Sequence, residues 1–164
     1  MTLALDTILD NRLSLRAVTP ELAAYLGPAV AAIEPWSRLD YPASSMTGFL
    51  ATEDPALTRM VVFAGNTPAG VIAVRSPWLH GPYLQLLALL PPFQGQGFGA
   101  TLLGWFERQA SPRNRWLWLC YSSFNARAGD FYARHGFERV AGLPDLLADG
   151  FEEVLMRKRI NAPR

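Results

Sequence analysis

The sequence predicts one α/β domain: a mixed, mostly antiparallel, twisted sheet of six to seven strands flanked by about four helices. Three observations carry this. At 164 residues the chain is the length of one domain that can bury a sizeable core. Short strand-like runs interleave with helix-like runs along its whole length. In the middle, an apolar run at 83–90 passes through a glycine-rich turn into a helical pattern, the signature of a βαβ crossover.

Residues 1–11 read as a short extension of the domain, and 159–164 as a tail. Residues 13–18 alternate apolar and polar side chains, as a half-buried strand does. Thr19 and Pro20 then supply an N-cap and a first helical position, and that helix runs to about Ile33, before Pro35. Residues 36–53 read as a second, less regular helix. Strands at 58–64 and 70–76 flank Gly65-Asn66-Thr67-Pro68-Ala69, a hairpin by its turn chemistry. After the strand at 83–90, Leu102, Leu103, Phe106 and Ala110 make one apolar helix face, which Ser111-Pro112 ends. Residues 116–121 read as a buried strand, and 126–135 as a helix closed by Gly136 at its C′ position. The last two strands fall at 137–140 and 152–156, with Gly142, Pro144 and Gly150 in the loop between them.

Composition removes several classes of function. The net charge is +1, Lys158 is the only lysine, and no basic run exceeds Arg157-Lys158-Arg159, so a nucleic-acid partner is not expected. Cys120 is the only cysteine and His80 and His135 the only histidines, so neither a disulfide framework nor a metal site is expected. No apolar run reaches the ~18–20 residues that span a bilayer, and the first residues lack a basic leader. The expectation is a cytoplasmic protein with no membrane partner, a monomer or homodimer.

The turn after 83–90 reads Gln94-Gly95-Gln96-Gly97-Phe98-Gly99-Ala100. Glycines between a strand and a helix N-terminus offer bare backbone N–H groups to a phosphate. A P-loop needs a lysine and a hydroxyl residue after its last glycine, and neither follows Gly99. A dinucleotide loop needs G-x-G-x-x-G and an acid at the tip of the next strand, where this chain has Cys120-Tyr121. The remaining pattern, Gln/Arg-x-x-Gly-x-Gly/Ala, is matched without gaps and resembles the acetyl-CoA loop of the GNAT superfamily of N-acetyltransferases. A second segment is similar to the same family: Asn125 opens a helix, Tyr132 follows, and the helix ends in Gly136-Phe137.

The resemblance implies roles. The N–H groups of 95–99 hold the pyrophosphate of acetyl-CoA, with Gln94 and Ala100 completing the motif, while Leu87, Ala88 and Leu89 pair their backbone with the pantetheine arm. A backbone N–H near Leu89 meets the thioester oxygen. Asn125 is an N-cap, a partner of the pantetheine arm, or both. Tyr132 is the candidate general acid that protonates the thiolate, against the plainer reading of a core aromatic beside Phe131 and Phe137. The general base is not legible: Gln85 and Cys120 occupy the two positions where relatives carry acids. A water chain, or Glu34, Asp40 or Asp145, is left for that task.

Family resemblance also builds the acceptor site from about 33–50 and 141–150, with Glu34, Trp36, Tyr41 and Gln85 as substrate candidates and Trp78 and His80 as possible borders. Pro35-Trp36-Ser37 is similar to a segment of ribosomal-protein alanine acetyltransferases. The expected function is direct acetyl transfer from acetyl-CoA to a primary amine of a small molecule. The alternatives are acetylation of a protein N-terminus or lysine, and a non-catalytic acetyl-CoA-binding module.

Overall fold

The computed structural model describes residues 6–110 and 114–160. In chain order the elements are β1 (Thr7–Ile8), β2 (Leu13–Ala17), α1 (Pro20–Ala31), α2 (Ala43–Ala51), β3 (Leu57–Ala64), β4 (Thr67–Trp78), β5 (Gly81–Leu89), a 3-10 turn (Pro91–Phe93), α3 (Phe98–Ala110), β6 (Trp116–Ser122), α4 (Ala126–Arg134), β7 (Glu138–Pro144) and β8 (Glu152–Arg159). They form one sheet ordered β1-β2-β3-β4-β5-β6-β8-β7, in which only β5 and β6 run parallel.

This is the α/β architecture that the sequence predicts, with eight strands instead of six to seven. The added strand is β1, two residues of the expected extension that pair with Ser14 and Leu15, too short to leave a period in the sequence. Three boundaries also move. Residues 36–41 form hydrogen-bonded turns (Leu39 N–H to Pro35 C=O, Tyr41 N–H to Trp36 C=O), so α2 starts only at Ala43. Gly142 and Pro144 lie in β7, and β8 extends to Arg159. The expected stop of α3 at Ser111-Pro112 lies outside the described residues.

Helices cover both faces of the sheet. On one, Leu26 and Val30 of α1 and Met46 and Leu50 of α2 pack on Val61, Val71, Leu86 and Ala88. On the other, Leu102, Leu103 and Phe106 of α3 and Tyr132 of α4 pack on Leu15, Met60, Ile72, Leu117 and Leu119. Strand β5 changes phase between these cores. Val74 pairs with Leu84 and Ala73 with Leu86, which leaves Gln85 as an unpaired bulge residue. Leu84 therefore faces α3 and α4, whereas Leu86 and Ala88 face α1 and α2.

Candidate functional site

The bulge coincides with a split in the sheet. The β5–β6 pairing comprises Tyr83 with Trp118 and Leu84 with Leu119. Past that point β6 remains paired to β8 through Ser122, while β5 remains paired to β4 through Leu89. Between the diverging strands lies a cavity of about 320 Å³, lined on its strand side by residues 83–89 and 120–122. The β5 edge facing it is an unpaired strand edge, a template for an extended ligand.

The glycine turn opens a second cavity of about 740 Å³ beside the first, lined by Gly95, Gly97, Phe98, Gly99 and Ala100, and across from them by Arg127, Phe131 and Arg134 of α4. Among the described residues no backbone or side-chain acceptor takes the N–H of Gly95, Gln96 or Gly97. The next N–H groups begin α3 and have no intrahelical acceptor. Gly95 and Gly97 sit at φ 73° and 80°, the left-handed region that glycine enters without strain, and a Cβ on either would project into open space. Gly99 is small for a different reason: its Cβ would lie 3.3 Å from the Phe131 ring, which packs α3 against α4.

The loop's side chains are committed elsewhere. Gln94 Nε2 donates to the Leu89 carbonyl at 2.8 Å and Gln96 Nε2 to the Pro92 carbonyl at 2.7 Å. The Phe98 ring is buried in the core beneath the Arg12 guanidinium, 5.0 Å away. What this turn offers a ligand is therefore main-chain N–H, the positive end of α3, and the guanidinium groups of Arg127 and Arg134, two turns apart on one side of α4.

Tyr132 lines both cavities. Its ring packs with Phe131, Phe137 and Tyr121 at centroid distances of 5.3, 6.0 and 6.5 Å, yet its hydroxyl has no hydrogen-bond partner among the described residues. Burial pushes its phenol up to about 12, so it is protonated at neutral pH. Asn125 also lines both cavities, and its Oδ1 caps α4 by accepting from the Ala128 N–H at 3.2 Å.

On the opposite side of the split stands a carboxylate that sequence reasoning did not single out. Glu153 begins the buried part of β8 directly opposite Ser122, and in an antiparallel pair directly opposed residues share a face. Cys120, two residues from Ser122, and Tyr83, beside Trp118, lie on that face too. Glu153 is only 5 % exposed and lines the 320 Å³ cavity. Ser122 Oγ–H donates to its Oε1 at 2.5 Å, and the other oxygen has no partner among the described residues. Burial raises its pKa, while the Ser122 hydrogen bond opposes the rise. Burial likewise raises the Cys120 thiol and the Tyr83 phenol, which touch each other, so both are neutral and neither is an activated nucleophile.

A family model described as the Acetyltransferase (GNAT) family matches residues 19–137, most of the chain. The chain belongs to this family. Its fold is that of an acetyltransferase from Thermus thermophilus (TM-score 0.72, 23 % identity, covering 90 % of this chain and 97 % of that one). The same holds for the ribosomal-protein-S18-alanine N-acetyltransferase of Escherichia coli (0.70, 17 %, 93 % and 96 %). A third is spermidine N-acetyltransferase of Vibrio cholerae in complex with CoA and spermine (0.66, 17 %, 92 % and 96 %). Comparison with curated protein sequences gives no match. The GNAT assignment makes the protein an acyltransferase.

Most of the residues expected at the site converge there. Leu87, Leu89, Gln94, Asn125, Tyr132 and Glu34 border both cavities, and Ala88, Trp36, Tyr41 and Gln85 border the first. Gln96 borders neither. Trp78 and His80 do not join them: the β4–β5 hairpin carries both to another depression, beside Asn114, Arg115 and Trp116. Gln85 Oε1 accepts from Arg75 Nε at 2.8 Å, and Arg75 also pairs with Asp54 at 2.9 Å, so the bulge residue is tied to a cation. Of the acids considered as a base, Asp40 and Asp145 do not line the cavity, and Asp145 instead accepts from the Gly150 N–H at 2.7 Å. Sequence reasoning singled out neither Arg127 and Arg134, which their i, i+7 spacing on the expected helix could have shown, nor Glu153, which needed the β6–β8 register. Among the described residues no group of acids, histidines and cysteine could hold a metal ion, and no helix is long and apolar enough to cross a membrane.

Proposed function

We propose that the protein is an acetyl-CoA-dependent N-acetyltransferase that acts on a primary amine of a small molecule, with Tyr132 as general acid and Glu153 as general base. The reading is supported above all by one arrangement: a protonated phenol and a buried carboxylate border one cavity from opposite faces of the split sheet. The residues fit the cofactor. Unclaimed N–H groups at 95–97, the start of α3, and Arg127 and Arg134 suit its phosphates, and the free β5 edge at 87–89 suits its pantetheine amides.

When bound, acetyl-CoA supplies an acetyl group activated as a thioester. The chain's own residues manage protons. Glu153 takes one from the incoming ammonium or attacking amine, and burial suits it to that task by making its carboxylate a stronger base than an exposed one. Tyr132 gives one to the departing sulfur from the α4 side, so that acid and base neither pair with nor quench each other. Ser122 holds the Glu153 carboxylate in place. The test is thiol release from acetyl-CoA by the purified protein: release that depends on added primary amine supports the reading, and none with any amine contradicts it.

A further inference from the structure

We infer that the acceptor is a primary amine carried on an uncharged, apolar body, aliphatic or aromatic, and not a polyamine or other multiply charged amine. This rests on the acetyl-transfer reading of the same cavity and adds the class of substrate. The half of the cavity beyond the split is walled by Trp36, Tyr41, Met46 and Phe49 on the α1–α2 side and by Leu146 and Leu147 from the β7–β8 loop. The two leucines are 53 % and 51 % exposed, large apolar side chains presented at the cavity's edge with about half of their surface uncovered.

Charge in the lining is sparse. Among the described residues, its only acidic or basic side chains are Glu34 and Glu153. Glu34 also borders the glycine-turn cavity, which places it at the junction of the two cavities and not within the apolar half. Glu153 is assigned to the reacting nitrogen. A second ammonium on the acceptor would then lie among rings and aliphatic chains with no carboxylate of its own, a costly burial. Arg75, behind Gln85, is already tied to Asp54 and Gln85, and Arg59 to the Phe49 carbonyl, which leaves both poorly placed to receive an acceptor carboxylate.

The experiment measures kcat/KM by thiol release for the n-alkylamines from propylamine to heptylamine, whose nitrogens share one basicity, alongside 2-phenylethylamine, spermidine and a short peptide with a free N-terminus. The expected result is a rise of about fourfold per added methylene until the cavity is full, the factor that burying one CH₂ gives. Spermidine is expected at least tenfold below hexylamine. Leu147→Glu, a change at a half-exposed position, is expected to lower the hexylamine value at least tenfold, narrow the gap to spermidine, and leave the KM for acetyl-CoA unchanged. A flat alkylamine series, or spermidine or the peptide as the better acceptor, would overturn the assigned class while acetyl transfer stands. No thiol release with any of these amines would instead overturn the transfer reading on which it rests.

Discussion

Replacing Glu153 by Gln separates catalysis from stability, because the two respond in opposite directions. The side chain is 5 % exposed, and burial is the main cause of its raised pKa. A carboxyl group whose folded pKa lies above its ordinary value of 4.5 binds protons more tightly in the folded state. Stability is therefore lost as pH rises from about 4.5 through the folded value, and the full cost persists above it. Glutamine never ionises, and its carbonyl oxygen can still accept from Ser122. The variant should be at least as heat-stable as the wild type at pH 8 and no more stable below pH 4. Activity should behave otherwise. Loss of a general base lowers kcat/KM by about 10²–10⁴, and the acidic limb that reports Glu153 should vanish from the pH–rate profile. In the wild type that limb should lie above the ordinary glutamate value. Calorimetry at two pH values and kcat/KM across pH 5–9 test both halves. Wild-type kcat/KM in Glu153→Gln, with the acidic limb intact, would refute the reasoning.

Gln85→Glu, introduced into Glu153→Gln, should not restore activity, because Arg75 at 2.8 Å would hold the new carboxylate in an ion pair as a weak base; kcat/KM of the double variant checks this. Gly97→Val places a β-branched residue at φ 80° with its Cβ in open space, which costs roughly 1–2 kcal/mol of stability. The fold should survive with a slightly lower Tm, while calorimetric affinity for CoA should fall at least 100-fold. Replacing both Arg127 and Arg134 by Ala should raise the KM for acetyl-CoA about tenfold or more at low salt, with kcat little changed and the difference shrinking as salt is added.

How much of this was legible in the sequence varies with the range of the interaction. The glycine turn and the segment from Asn125 to Phe137 are local: capping by Asn125, the positive φ at Gly136 and the strand–turn–helix order all follow from neighbouring residues. The mixed sheet follows from the same order. Features set by pairing between distant strands were not legible. Glu153 becomes buried only because it faces Ser122 across a ladder that joins residues 31 apart. In sequence it is the second of two glutamates ahead of an apolar run. The bulge at Gln85 depends on β4 as much as on β5, and it reverses the faces of Leu86 and Ala88 relative to Leu84. Trp78 and His80, close to β5 in sequence, lie at the far end of its hairpin. The loop glutamines matched a motif, but only the folded turn shows their side chains bracing Leu89 and Pro92.

The central claim is that acetyl transfer occurs at the split between β5 and β6 with Tyr132 as its acid. Tyr132→Phe removes one oxygen from a buried ring and leaves its packing on Phe131 and Phe137 in place. Measured side by side, the affinity for CoA should stay within about twofold of wild type, and kcat for amine-dependent thiol release should fall about 10²-fold or more. A phenylalanine variant that turns over like the wild type would contradict the account.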